Sequence, residues 1–437
     1  METGVKIVEG SCKGCVNCIK SCPTEALRVI EGKVNILPEL CIDCGECLRT
    51  CREKALALDE DDWDLLKSHG PVTLMADPTF CAQFSHYWSP ALIREALASL
   101  EMQDLFDQAS VAFDLAALAT ANQLQEASRE SLPLISIYCP AVVRLIQVRF
   151  PELLHRLVKT ETPLETGTLL WRRENESKSG VVLVTPCSAK VMLVRGPVGR
   201  TRSTMGHVVS VKRLARDLLA AGPKVEGKSA APVGSRWLAW ALRGGESRHV
   251  RAFSERKLTT MAVSGLRNTI DLLQDLELGR LKGVDFVECR VCDLGCIGGI
   301  GNAESRFLSE LRLSRQPIEW KVSAGEHAAL QELYETGIWK LEQPIQPRPR
   351  PSLADTLDEA MKKLKEMQAL YAELPHIDCG ACGRPSCRAL AEDVVRGEGE
   401  LTDCVFKLRE RISLLGEEIT LLSGKLPHAF HERKHGK

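Results

Sequence analysis

Sixteen of the eighteen cysteines in this chain fall into four sets of four, and no other feature limits its fold so strongly. Cys12-x2-Cys15-x2-Cys18-x3-Cys22-Pro23 is followed by Cys41-x2-Cys44-x2-Cys47-x3-Cys51. Toward the other end stands Cys379-x2-Cys382-x4-Cys387-x16-Cys404, and between them lie Cys139, Cys187, Cys292 and Cys296. Cys81 and Cys289 are left over and read as small buried apolar residues. A disulfide framework belongs to small secreted domains, whereas this chain has 437 residues and no apolar stretch behind a positive flank at its start. Zinc draws its thiolates from two separated CxxC pairs. Three closely spaced cysteines with a fourth before proline are the spacing of [4Fe–4S] ligands instead.

The rest of the composition narrows the partners. Fifty-seven basic and 58 acidic residues nearly cancel, and aromatic residues make up only 5%, so no nucleic-acid partner is expected. The longest apolar runs are too short to span a bilayer, and the expected location is cytoplasmic.

Residues 1–60 resemble a bacterial ferredoxin, an α+β unit with two [4Fe–4S] clusters. The two halves repeat a cysteine loop, a short helix (23–27 and 52–56) and a short strand (27–30 and 57–59). In such a unit the fourth cysteine of each run serves the other cluster. That assigns Cys12, Cys15, Cys18 and Cys51 to one cubane, and Cys41, Cys44, Cys47 and Cys22 to the other.

Residues 70–342 read as an α/β domain with mostly parallel sheets. Buried strands are expected at 72–76, 134–138, 181–185, 258–263 and 284–288, and helices at 91–100, 141–148, 211–220 and 266–276. Cys139, Cys187 and the pair Cys292/Cys296 then stand at the C-terminal ends of strands, where open α/β sheets hold their ligands. Three loops converging there would build one buried cluster site.

Those loops read Ser136-Ile137-Tyr138-Cys139-Pro140, Thr185-Pro186-Cys187-Ser188-Ala189-Lys190, and Glu288-Cys289-Arg290-Val291-Cys292-Asp293-Leu294-Gly295-Cys296-Ile297-Gly298-Gly299. In order and spacing they resemble the signature loops of [FeFe] hydrogenases, of a divergent, sensory-like or uncharacterised branch. The resemblance implies that Cys139, Cys187, Cys292 and Cys296 hold the catalytic domain's [4Fe–4S] cluster. It further implies that Cys296 bridges to a di-iron subcluster, and that Lys190 donates to a cyanide on it. Cys296 and Lys190 are thus the candidate catalytic residues. The glycines after Cys296 are expected to let backbone approach the cofactor. The chain departs from the family where protons are handled. Tyr138 replaces a second cysteine, Leu193 a glutamate and Arg290 a methionine, and Gly298-Gly299-Ile300-Gly301-Asn302 stands for Gly-Gly-Gly-Gln-Pro.

A proline-rich linker follows at 343–352, then a helical [4Fe–4S] module at 353–425, with 426–437 as a frayed tail. The module, with Cys379, Cys382, Cys387 and Cys404 as ligands, resembles one attached to corrinoid iron–sulfur proteins. Its last helix carries Leu401, Val405, Leu408, Ile412, Leu415, Ile419 and Leu422 at coiled-coil spacing. The helices before and after the motif are expected to pair with each other; a signalling partner or a dimer through them stays open. His431-Glu432-x2-His435 matches a zinc-protease pattern but has no third ligand and is discounted.

The combined expectation is an iron–sulfur oxidoreductase with four [4Fe–4S] clusters, two N-terminal, one central and one C-terminal. Its implied reaction is reversible proton reduction coupled to ferredoxin-type electron transfer. The implied partners are ferredoxin or another iron–sulfur protein, together with hydrogenase maturation proteins. The alternative is a non-catalytic paralogue that transfers electrons or senses redox state with [4Fe–4S] clusters alone.

Overall fold

Runs in which every side chain is buried form strands only when both sheet faces are covered, and the middle of this chain supplies several. A computed structural model describes residues 2–85, 88–175, 180–222, 235–349 and 351–425. In chain order the strands are β1 Val5–Ile7, β2 Leu27–Ile30, β3 Lys33–Ile36, β4 Leu56–Leu58, β5 Val72–Ala76, β6 Met102–Asp104, β7 Leu134–Ile135, β8 Val181–Thr185, β9 Met205–Ser210, β10 Thr260–Ser264 and β11 Phe286–Arg290. The His431–His435 pattern and the tail at 426–437 lie outside the described residues, as does Arg350 of the linker.

The chain divides into two compact units, Met1–Glu9 with Pro38–Pro349, and Gly10–Leu37 with Arg350–Lys437. Compactness thus groups the first cysteine loop with the C-terminal module and the second with the central domain. The segment expected as a free linker belongs up to Pro349 to the first unit. Gln343 donates its N–H to the carbonyl of Gly199 (2.9 Å), and Gln147 Nε2 donates to the carbonyl of Gln346 (2.6 Å).

The first unit holds two parallel sheets. One has the order β6-β5-β8-β9 and the other β10-β11-β7. Leu74 pairs with Val182, and Phe286 with Leu134. All five residues of β5, β8 and β11 are buried. Helix Phe106–Glu126, not anticipated from sequence, packs as an alanine- and leucine-rich rod inside the same core. Helix Val211–Ala221 buries Val211, Leu214, Ala215 and Leu218 at three- and four-residue spacing, and Ser210 Oγ caps its first turn. Each such fully buried aliphatic side chain contributes about 1.5–3 kcal/mol. β1 and β4 form a small antiparallel pair in this unit.

In the second unit β2 and β3 form a hairpin. Val29 of β2 donates its N–H to the carbonyl of Gly383 at 2.8 Å. Arg28 grips Asp393 with two guanidinium nitrogens (2.7 and 3.0 Å), and Arg384 Nε reaches the same carboxylate at 3.1 Å. Met367, Leu374, Leu390, Ala391 and Val395 form the module's apolar core.

Two helix expectations need correction. The short helices of the cysteine repeats are Asn17–Ser21 and Glu46–Thr50, within the motifs rather than after their fourth cysteines. Left-handed residues at Val16 and Gly45 start them there. The second concerns helices Leu357–Glu373 and Val405–Ser423, which were expected to pair. Leu357–Glu373 packs instead on Cys387–Arg396, and no residue of Val405–Ser423 is buried.

Candidate metal centre

Two of the three central cysteine loops turn directly from strand into helix. Cys139 is the N-cap of helix Pro140–Arg149, four residues beyond the end of β7, and Cys187 is the N-cap of helix Ser188–Arg195, two beyond β8. Cys292 and Cys296 follow β11. Cys139 and Cys296 are buried, and Cys187 and Cys292 are partly so.

Electrostatics registers how closely these sulfurs gather. Burial pushes the Cys187 thiol up to about 12, with Cys139 and Cys296 adding to it. Burial pushes Cys296 up to about 11, with Cys139 again contributing. Cys292 is raised well above its usual value by burial and then by Cys187, Cys139 and Cys296. Every pair among the four therefore lies within electrostatic reach, and as thiolates they need a strongly cationic centre. Among the described residues, no group of three or more His, Cys, Asp or Glu is placed to hold a metal ion. A lone zinc would gather thiolates about 2.3 Å from itself; a cubane spreads its four ligands around a larger core. The donor set fits a [4Fe–4S] cluster.

The space beyond Cys296 is different. Lys190 is 1% exposed, and its Nζ lies 4.0 Å from Cys296 Sγ but only 2.5 Å from Asp77 Oδ2. Asp77 follows β5, and its other oxygen accepts from Thr79 N at 3.0 Å. The same ammonium lies 3.8 Å from the centre of the Tyr138 ring, whose other neighbours include Arg290 at 4.7 Å. Phe113 and Trp240 pack edge-on against that ring, with centroids at 5.6 and 5.0 Å. Lys190 points inward as the motif implies, but a buried carboxylate already neutralises it. The Tyr138 ring thus lies against the same ammonium that approaches Cys296. The Lys190–Asp77 pair and the Tyr138 ring are what a di-iron subcluster on Cys296 would have to accommodate. The Tyr138 hydroxyl finds no hydrogen-bond partner among the described residues.

Arg290 is also held by partners that sequence reasoning missed. It meets Glu246 at 2.6 Å and Glu288 at 3.5 Å, both buried, while Ser136 Oγ donates to Glu246 at 2.6 Å. Glu288 in turn accepts the N–H groups of Gly244 and Ser247, fixing the start of helix Gly245–Phe253. Asp77 had a local signal, an Asp-Pro cap at the end of a buried strand. Glu246 had none.

The glycines after Cys296 lie against the second cysteine loop. A Cβ on Gly299 would come within 2.8 Å of Pro186, and one on Gly301 within 3.0 Å. Gly301 N donates to the Pro186 carbonyl at 2.8 Å. They let the third cysteine loop lie against the second.

The second N-terminal cysteine loop docks on this centre within the same unit. Asp43, between Cys41 and Cys44, forms a buried ion pair with Arg144 on the helix after Cys139. Ser188, beside Cys187, donates to the Asp43 carbonyl at 2.6 Å, and Arg49 donates to the Gly298 carbonyl at 2.9 Å. The N–H of Ala55 points at Cys51 Sγ (3.3 Å) and that of Asp43 at Cys41 Sγ (3.4 Å).

In the other unit, the N–H of Ala26 points at Cys22 Sγ (3.2 Å) and that of Val34 at Cys12 Sγ (3.3 Å). Amide donors aimed at sulfur favour thiolate charge. Cys15 there is exposed, and burial raises Cys18 to about 11. In the tail module Cys387 and Cys404 are buried, Cys382 is partly buried and Cys379 is exposed. Asp378 Oδ1 accepts from Cys387 N at 2.6 Å. Of the two leftover cysteines, Cys289 is fully buried and Cys81 is 9% exposed, both within apolar clusters.

Residues 71–226 and 237–300, half of the chain, match the family model of the iron only hydrogenase large subunit, C-terminal domain. Residues 4–52 match a 4Fe-4S dicluster domain and 374–406 an Fe-S cluster family. A solved structure describing stepwise [FeFe]-hydrogenase H-cluster assembly, HydA(deltaEFG), aligns with 66% of this chain and 97% of its own at 14% identity and a TM-score of 0.50. A glutamate-to-glutamine variant of [FeFe]-hydrogenase HydA1 from Chlamydomonas reinhardtii covers 66% of this chain and 96% of its own, at 15% identity and a TM-score of 0.47. No curated protein sequence matches. Among the described residues no helix is long and apolar enough to cross a membrane.

Proposed function

The chain belongs to the family of the iron-only hydrogenase large subunit, C-terminal domain, and we propose that within it this protein is an iron–sulfur electron carrier rather than a hydrogen-producing enzyme. Cys139, Cys187, Cys292 and Cys296 hold a [4Fe–4S] cluster, which supplies one-electron chemistry. The N-terminal cysteines hold two more, and Cys379, Cys382, Cys387 and Cys404 a fourth.

One observation carries the reading. Lys190, which in the catalytic members would meet a cyanide ligand, spends its charge on Asp77 at 2.5 Å in a fully buried pair. Drawing it away to a new anionic ligand would leave the buried Asp77 carboxylate without its counter-charge, at a cost of several kcal/mol. The docking of the Cys41–Cys51 loop against Ser188 and Gly298 supports electron exchange between the clusters of the first unit. Lys190 and Arg290 both act on Cys296, but each is balanced by a buried carboxylate, Asp77 on the first and Glu246 on the second. Partners of this role are a ferredoxin or a similar iron–sulfur protein.

Hydrogen turnover with a di-iron subcluster is the second reading. The unpartnered Tyr138 hydroxyl and the 4.0 Å approach of Lys190 to Cys296 favour it. Expression with hydrogenase maturation proteins followed by infrared spectroscopy separates the two. The expected result is no iron-bound carbonyl or cyanide stretch, with only cubane signals by electron paramagnetic resonance. Such stretches, lost in a Cys296→Ser variant, would overturn the carrier reading.

A further inference from the structure

The C-terminal helix Val405–Ser423 has an apolar face that no described residue covers. In heptad notation Val405, Ile412 and Ile419 occupy a, and Leu408, Leu415 and Leu422 occupy d. All six are exposed, from 40% at Leu415 to 66% at Ile419. Leu414 and Leu421, 58% and 68% exposed, extend the strip on its leucine side. An unbroken apolar strip of this size on a surface marks an interface.

Two further features say what covers it. Gly416 sits in the middle of the helix, where glycine costs about 1 kcal/mol relative to alanine. A Cβ there would meet nothing within 4 Å, so among the described residues no contact calls for glycine. A second backbone crossing at that point would. The second feature is charge. Lys407 and Glu410 pair with each other at 2.8 Å, which leaves Arg409 and Arg411 before Gly416 and Glu417 and Glu418 after it. Two copies running parallel would stack like charge on like, whereas antiparallel copies set each basic half over an acidic half. Arg411 and Glu418 both occupy g, the position whose residues meet across an antiparallel pair.

We propose that this face closes on the same face of a second copy of the chain, antiparallel and crossing at Gly416. The contact is isologous, so one patch serves both copies and the assembly stops at two. β-Branched residues at a with leucine at d are also the combination that favours two strands in parallel coiled coils. Here charge reverses the direction.

The experiment is sedimentation equilibrium of the full-length, cluster-loaded protein under anaerobic conditions. The expected mass is that of a dimer. Ile412→Glu combined with Ile419→Glu gives a monomer with unchanged iron content, which separates loss of the interface from loss of the fold. Arg411→Glu weakens the dimer about tenfold, as two exposed ion pairs become repulsive. Adding Glu418→Arg restores it. Gly416→Leu strengthens the isolated helix yet loosens the dimer. A monomeric wild-type protein overturns the proposal; if truncation after Lys425 turned that monomer into a dimer, the occupant would be the chain's own end. Failure of the charge exchange to rescue, in a protein that does dimerise, overturns the antiparallel arrangement.

Discussion

Lys190 illustrates how far a motif reaches. Its place three residues after Cys187 is local, and its inward direction follows from the turn of helix that carries it. Its partner does not follow, because Asp77 lies 113 residues away and meets it only when β5 and β8 pair. Removing one member of a buried ion pair costs about 3–5 kcal/mol, because the other charge is left uncompensated. Asp77→Ala should therefore destabilise the first unit by that amount in denaturant unfolding. The double variant Asp77→Ala/Lys190→Met should lose clearly less than the two single losses together. Asp77→Asn should also move the central cluster's midpoint potential in the positive direction, since the ammonium is no longer neutralised. An unchanged potential would place Lys190 too far from the cluster to matter.

Glu161 shows a residue-scale effect away from the clusters. It is 3% exposed, and burial pushes its carboxyl up to about 7 from an ordinary 4.5, although Arg200 lies 3.2 Å away. Glu165, also on Arg200, adds to the rise. Between those two pH values the folded protein holds a proton that the unfolded chain has released. The stability from this group is thus complete below pH 4.5 and is lost as pH rises to about 7. Its slope is at most about 1.4 kcal/mol per pH unit. Urea unfolding across this range should show that slope in the native protein and not in Glu161→Gln.

At the scale of elements, β5 and β8 were legible to the residue, because uninterrupted runs of β-branched and aliphatic residues have few other uses. β7 was drawn too long at 134–138; it stops at Ile135, where Ser136 turns away to meet Glu246. The glycines of the third cysteine loop were visible, but their purpose was not, since it lies in Pro186 on another loop. Gly301→Val should push the two loops apart and cost the central cluster while the terminal clusters remain. Iron analysis and visible absorption measure that loss. In the second unit the fork from Arg28 to Asp393 joins β2 to helix Cys387–Arg396. Asp393→Ala should cost about 3–5 kcal/mol and release the C-terminal cluster at lower temperature, read from the bleaching of its absorption on heating.

For the whole molecule, the grouping of parts could not be read from the order of motifs. The second cysteine loop belongs with the central domain and the first with the C-terminal module. Asp43, Arg144, Arg28 and Asp393 belong to no motif, yet all four are buried. Buried, they tie loop to domain. Cys187→Ser should remove one cluster's worth of iron and leave the rest, whereas Cys387→Ser should remove a different one; additive losses in the double variant would show the two sites to be independent.

The family and its iron–sulfur character were written in the chain, because a cysteine loop carries its spacing in consecutive residues. Whether that chemistry ends at a cubane rested on which groups face Lys190 and Cys296. Those groups, Asp77 and the Tyr138 ring, come from other strands and loops. Side chains so far apart in sequence acquire a shared electrostatic environment only once the sheets have assembled and excluded water.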